Sequence, residues 1–487
     1  MPISPESFFL DSASEGTLQA QIRQMVAQGI LDGRFQPGEK LPSSRRLAQH
    51  LGISRITVTL AYNELLADDY ITSRGRSGYF VSDDAPKPPT FPARKSGTGT
   101  VDWARILGQR IPASLGLIKP NDWSAYRYPF IYGQADPTLF DSANWRLCAL
   151  QALGRKDFTA LTTDYFDGDD PKLIEFIARQ TLPRRGILAG PDEILVTLGA
   201  QNALWLAAQV LLTQRRVAAI ENPCYPALRS ILTQSRCQLE TVKTDASGLP
   251  PDALPENLDV VFTTPSHHCP TTATMPLARR KALLAKAERD NFLIVEDDYE
   301  FEMSFLKAPS PALKSLDTSG RVIYVGSFSK SLFPGLRLGY LVGPAPFIRE
   351  ARNLRASVLR HPPGHIQRTV SYFLSLGHYD ALIRRMSRAF QERREVMDNA
   401  IAEFGLTIAG QATFGGSSVW MKAPRGVNMN LLSERLRLSS VLVEPGAAFF
   451  SGTEKPTDFY RLAYSSIQSE RIRDGIRIIA EAIERVK

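Results

Sequence analysis

The sequence predicts a two-part chain: a small helical unit closed by a hairpin, then a large α/β domain ending in a smaller α+β subdomain. Three observations carry this. Leu18, Ile22, Val26 and Ile30 recur every four residues, the stripe of an amphipathic helix. Apolar runs at 194–196, 217–220, 260–262, 292–295 and 322–325 alternate with longer helical patterns, which implies a mostly parallel sheet covered by helices. Between the two patterns lies Asp83-Asp84-Ala85-Pro86-Lys87-Pro88-Pro89-Thr90, where prolines remove backbone donors and disfavour helix. The expected organisation is a first unit over 12–82, a linker over 83–122 and a second unit over 123–487. The small subdomain spans roughly 380–487.

The first unit is read element by element. The stripe from Leu18 to Ile30 gives one helix, and Gly33 and Pro37-Gly38 punctuate the turn after it. Ser43 caps a short second helix carrying Leu47 and Leu51 inward, ended by Gly52. Ser54 caps a third, with Val58, Ala61 and Leu65 on one face. Tyr70-Ile71-Thr72 and Gly78-Tyr79-Phe80-Val81 read as two strands around a tip at 73–77. Three helices and a hairpin in this order make a winged helix-turn-helix.

Composition narrows the function classes. Hydrophobic residues are 43% and charged residues 22% of 487, enough for large cores and incompatible with a wholly disordered chain. No run reaches the length of a membrane span, and the first residues include Glu6 and Asp11 rather than a basic stretch, so a cytoplasmic protein is expected. Cys148, Cys224, Cys237 and Cys269 are too scattered for a disulfide framework or a metal cluster. His267-His268 has no acidic cluster nearby in sequence, and no metal is expected.

The net charge of +8 permits an anionic partner. Within 40–80, Lys40, Arg45, Arg46, Arg55, Arg74 and Arg76 face only Glu64, Asp68 and Asp69, a basic face suited to DNA. Arg55 and Thr57 fall in the first turn of the third helix, where a recognition helix meets the groove. Arg74 and Arg76 flank Gly75 at the wing tip. The run Gly38-Glu39-Lys40-Leu41-Pro42-Ser43-Ser44-Arg45-Arg46-Leu47-Ala48, with Leu51-Gly52-Ile53-Ser54-Arg55-Ile56-Thr57-Val58, closely resembles the winged-helix domain of GntR regulators. The resemblance implies operator contacts by Arg45, Arg55, Thr57 and the Gly75 wing; Ile56 stands where many members have a polar residue.

The second unit carries another constellation. Lys330 in Gly326-Ser327-Phe328-Ser329-Lys330 follows an apolar strand, and a lysine there can form an imine with an aldehyde cofactor. Arg337, seven residues on, suits bidentate phosphate binding. Leu198-Gly199-Ala200-Gln201 opens a helix after a strand and exposes N–H groups that can cradle phosphate. Asp297 ends the strand 293–295 and can pair with a pyridinium nitrogen. In this order and spacing, the set resembles fold type I pyridoxal-phosphate enzymes, the aminotransferase class.

That resemblance implies roles. Lys330 holds pyridoxal 5'-phosphate as the internal aldimine, and Asp297 pairs with the ring nitrogen. Tyr299 bonds the phenolic oxygen, Tyr225 covers a ring face, and Gly199, Ala200, Ser327 and Arg337 hold the phosphate. Arg461 binds the anionic end of an amino compound, carboxylate or sulfonate. Cys269 stands where these enzymes place an asparagine on the ring oxygen, and Thr272 replaces a glycine. Both changes weaken the expectation of turnover more than that of cofactor binding.

A GntR-like reader joined to an aminotransferase-like domain resembles the MocR subgroup of GntR regulators. The resemblance implies a homodimer, domain-swapped head to tail, that binds operator DNA and senses an amino compound through an external aldimine. Activation of amine or amino acid metabolism genes with autorepression is the expected outcome. A catalytically active aminotransferase with an appended DNA-binding domain is the alternative, and a residual half-reaction is compatible with either. A third reading is a cofactor-binding scaffold that regulates by DNA occupancy alone.

Overall fold

The four-residue apolar period becomes helix α1 (Leu18–Leu31), which buries Ile22, Val26 and Ile30. These and the following details come from a computed structural model that describes residues 2–11, 16–87, 101–107, 119–134, 136–164, 168–410 and 414–486. The chain divides into two units, Met1–Arg110 and Ile111–Lys487. Leu18, expected inward, is instead 43% exposed. As the first helical residue, its side chain leans back past the end of the packed face.

Serine caps set the other two helices. Ser43 Oγ accepts from Arg46 N at 3.2 Å ahead of α2 (Ser44–Leu51). Ser54 Oγ accepts from Ile56 N at 3.1 Å ahead of α3 (Arg55–Ala67). Helix α3 buries Val58, Ala61, Tyr62 and Leu65, and the Tyr62 hydroxyl donates to the Pro42 carbonyl at 3.0 Å. Strands β1 (Ile71–Ser73) and β2 (Tyr79–Val81) pair antiparallel with Thr72 opposite Phe80. Ile3 and Phe8, ahead of the expected start at residue 12, are buried in the same core. Positions 88–100 and 108–118 of the expected linker lie outside the described residues.

The second unit is built on a seven-stranded sheet. Its strands are β4 (Ile194–Thr197), β5 (Val217–Asn222), β6 (Gln238–Lys243), β7 (Val260–Thr263), β8 (Leu293–Asp297), β9 (Val322–Ser327) and β10 (Gly339–Val342). They lie in the order β4-β10-β9-β8-β7-β5-β6, all parallel except β10. The apolar runs all appear as strands. Edge strand β6 is mostly exposed and has no such run, so no apolar signal marks it in the sequence. The short reversed strand β10 is fully buried but only four residues long. Helix α5 (Ala200–Leu211), preceded in the chain by α4 (Ser142–Ala152), packs Leu204 and Leu206 into a core shared with the sheet.

After α6 (His378–Glu403) comes a four-stranded antiparallel sheet: β11 (Thr407–Ile408), β12 (Ser418–Lys422), β14 (Glu444–Pro445) and β15 (Phe459–Ala463). Helix α7 (Ser469–Glu484) packs Ile472, Ile476 and Ile479 against it. An early segment joins this subdomain as well. Strand β3 (Tyr128–Pro129) pairs parallel with β13 (Val441–Leu442), so Tyr128 and Phe130 enter the small core from far up the chain. Among the described residues, no helix is long and apolar enough to cross a membrane.

Candidate functional site

Sheet direction gathers the predicted residues. Strands β5, β7, β8 and β9 are parallel, and β4 runs the same way because reversed β10 separates it from β9. The segments leaving their C-terminal ends therefore share one edge, the usual place for a ligand in an open α/β sheet. Gly199 and Ala200 follow β4, Tyr225 follows β5 and Cys269 follows β7. Asp297 ends β8, with Tyr299 beyond it, and Ser327 ends β9, with Lys330 beyond.

The phosphate-type residues meet at a three-strand neck. Gly339 on β10 lies opposite both Thr197 of β4 and Ser327 of β9. This brings Arg337 back beside Gly199, and Arg337 Nη2 donates to the Leu198 carbonyl at 3.3 Å. Gly199 has φ of +81°, a conformation that a side chain resists. A Cβ there would stand 3.5 Å from Ser329 Oγ and 3.6 Å from Arg337 Cζ. The start of α5, two serine hydroxyls and a guanidinium thus surround one spot, a set suited to a phosphate dianion.

Ala200, Tyr225, Cys269, Asp297, Tyr299, Ser327, Lys330, Arg337 and Arg461 all line one cavity of about 270 Å³. Arg461 comes from the small sheet, where β15 register sets it opposite Glu444 and Trp420. Lys119, Tyr132, Gln201 and Ser329 also line the cavity, although no sequence motif assigns them to it. Tyr132 lies between two cations: Lys330 Nζ is 4.3 Å and Arg461 Cζ 4.2 Å from its ring centroid. No spacing links Tyr132 to Lys330 in the sequence; the β3–β13 pairing nearby brings its segment in.

Burial dominates the electrostatics. It lowers the Lys330 ammonium to about 8, helped by Lys119 and opposed by Glu300. It raises the Asp297 carboxyl to about 7; Asp298 adds to this and Lys330 opposes it. Asp297 Oδ1 is buried without a hydrogen-bond partner, so a donor placed in the cavity would satisfy it. Burial lifts the Cys269 thiol to about 11 and the Tyr225 phenol to about 12, and it raises the Tyr299 phenol well above its ordinary range, so all three are neutral near pH 7. His267 is pushed down to about 3 by burial and stays neutral, 3.3 Å from Glu300, while His268 lies 3.4 Å from Glu221. Among the described residues, no cluster of three or more His, Cys, Asp or Glu is placed to hold a metal ion.

In the first unit, Arg45 on α2 and Arg55 on α3 are exposed, and Thr57 is half-buried. Arg55 Nε reaches Ser44 Oγ at 3.4 Å, a contact that ties its side chain to the preceding helix. At the wing, Gly75 has φ of +55° and Arg74 lies over the Phe80 ring at 4.6 Å. The Arg76 side chain falls outside the described residues. Ile56 is 71% exposed in the first turn of α3, an apolar side chain available to a groove.

Comparison with known proteins matches each of the two units to a family. Residues 18–81 match the family "Bacterial regulatory proteins, gntR family", and residues 142–479 match "Aminotransferase class I and II". The chain is 59% identical to the HTH-type transcriptional regulator TauR of Rhodobacter capsulatus, over 99% of this chain and 100% of that protein. It is 28% identical to the probable rhizopine catabolism regulatory protein MocR of Rhizobium meliloti, over 97% of this chain and 95% of the other. Among solved structures, LysN, the α-aminoadipate aminotransferase of Thermus thermophilus complexed with N-(5'-phosphopyridoxyl)-L-leucine, superimposes with a TM-score of 0.71 at 27% identity. The match covers 79% of this chain and 99% of LysN.

Proposed function

The chain belongs to the MocR-type transcriptional regulators of the gntR family, and from that premise we propose that its aminotransferase-like unit is a pyridoxal 5'-phosphate-dependent sensor. The observation that carries the proposal is the convergence of Lys330, Asp297 and Arg337 on one cavity in a chain that also carries a DNA-binding unit. Bound there, the cofactor supplies an aldehyde carbon open to primary amines and a ring that withdraws electrons.

The chain's own groups suit that cofactor. With its ammonium lowered to about 8, Lys330 keeps roughly a tenth of its amine neutral at pH 7, ready to attack a carbonyl carbon. Asp297 offers its unpartnered Oδ1 to a ring N–H. Gly199, the Ala200 N–H, Ser327 and Arg337 take the phosphate, and Ser329, whose Oγ lies beside Gly199, joins them in this reading. Tyr225 covers a ring face, and Tyr299 donates to the phenolic oxygen. The Cys269 thiol, neutral near pH 7, is a weaker donor to that oxygen than an amide would be. Arg461 holds the anionic end of an amino effector, a carboxylate or a sulfonate.

Regulation follows from differential binding. An effector shifts DNA binding only as far as its affinity differs between two arrangements of the protein. We favour activation of amine or amino acid metabolism genes, autorepression, and action in the cytoplasm on double-stranded operator DNA through Arg45, Arg55, Thr57 and the Arg74–Arg76 wing. A homodimer, domain-swapped head to tail, fits the exposed Leu147, Leu150, Leu153 and Phe158, an apolar surface for a second copy to cover. The test is an amine panel on cofactor-loaded protein, read by visible absorption and by binding to its own upstream DNA in the same samples. Spectral change with altered DNA binding supports the sensor. Steady formation of oxo product with no effect on DNA overturns it in favour of an aminotransferase.

A further inference from the structure

Arg461 is already engaged. Its Nε donates to Glu444 Oε2 at 2.8 Å, and both side chains are 4% exposed. The other oxygen, Glu444 Oε1, lies 3.4 Å from Lys119 Nζ, yet it makes no hydrogen bond. Lys119 instead donates to the Tyr132 carbonyl. One buried carboxylate therefore faces two cations, and one of its oxygens is bound only loosely. Burial alone would raise the Glu444 carboxyl; Arg461 and Lys119 hold it below the usual range, so it stays ionised. The three groups together carry one net positive charge, and both cations line the cavity that contains Lys330.

We propose that Lys119 is a second anion-binding residue of the effector site, acting with Arg461, and that Glu444 is the counter-ion an effector's anionic oxygens displace. The inference rests on the reading that this cavity takes an amino compound beside Lys330. Lys119 lies outside both family matches, 18–81 and 142–479, so neither match assigns it a role. An anion with two or three acceptor oxygens can meet the guanidinium and the ammonium at once. A plain amine gains nothing from either cation. Lys119 thus selects amino compounds that carry an anion over amines that do not.

The test uses full-length, cofactor-loaded protein with taurine, β-alanine and ethylamine, which share a two-carbon amine and differ in the anion. Apparent affinities come from the visible spectrum of the bound cofactor. Loss of one charge-assisted contact predicts that Lys119→Met weakens taurine and β-alanine about tenfold while ethylamine moves less than about twofold. Lys119→Arg should restore the preference to within about threefold of wild type, and both variants should still bind cofactor, so that the ratio of anionic to plain amine is read on folded, cofactor-loaded protein. An unchanged ratio of anionic to plain amine in Lys119→Met overturns the role of Lys119. If the wild type retains its cofactor band but responds to none of the three amines, the effector reading itself fails, and this inference with it.

Discussion

Replacing Asp297 by Asn should stabilise the cofactor-free protein, and by an amount that depends on pH. Asp297 ends β8 at 6% exposure, and its Oδ1 has no partner. Burial raises its carboxyl from 3.8 to about 7. Between those values, the folded state keeps a proton that the unfolded chain has released, so the stability the group contributes is lost as pH rises towards 7. Above 7, both states are ionised and the penalty is constant. At about 1.4 kcal/mol per pH unit, wild type should lose roughly 3 kcal/mol between pH 5 and pH 8 relative to Asp297→Asn. Any cost of the buried amide itself is the same at every pH and drops out of this comparison. Thermal unfolding of the two cofactor-free proteins at pH 5, 6, 7 and 8 measures it, with an expected relative change of several degrees. Adding cofactor should then reverse the ranking, because the carboxylate also offsets the charge of a protonated ring nitrogen, whereas the amide oxygen accepts the N–H without a compensating charge. A wild-type-to-variant difference that stays flat from pH 5 to pH 8 would refute the claim that Asp297 is a desolvated, uncompensated acid.

Two further outcomes follow from the geometry. Arg55→Ala should weaken binding to the protein's own upstream DNA by roughly tenfold or more in gel-shift titrations and reduce its salt dependence, leaving the cofactor band intact. Full operator affinity in that variant would count against α3 as the recognition helix. Gly326→Ala should destabilise the second unit by about 1–3 kcal/mol, since a Cβ at Gly326 falls inside the buried Tyr340 ring. Chemical denaturation checks this, and an unchanged midpoint would mean that the Tyr340 ring yields freely.

The sequence made some of this legible and hid the rest, for physical reasons. Capping serines at 43 and 54 and the Gly75 wing announce themselves because local geometry demands those residue types. Lys330, Arg337, Gly199 and Asp297 are legible because each must sit at a strand end with a fixed offset from the next. Strand β6 was not legible, because an exposed edge strand needs no apolar run. Tyr132 and Lys119 reach the cavity, and Glu444 reaches Arg461 beside it, only through long-range pairing: β3 on β13, and β14 on β15. Pro445-Gly446 after Glu444 signals a turn but says nothing about Arg461 across the sheet. Pairings between distant segments leave no periodic mark in either one.

The central claim is that Lys330 covalently holds pyridoxal 5'-phosphate in the same chain that reads DNA. Borohydride reduction of cofactor-saturated protein, followed by peptide mass mapping, tests it most directly. A phosphopyridoxyl group on the peptide containing Lys330, absent from Lys330→Ala, is the result expected. Cofactor-saturated protein in which Lys330 stays unmodified, or in which another lysine carries the group, would contradict the account.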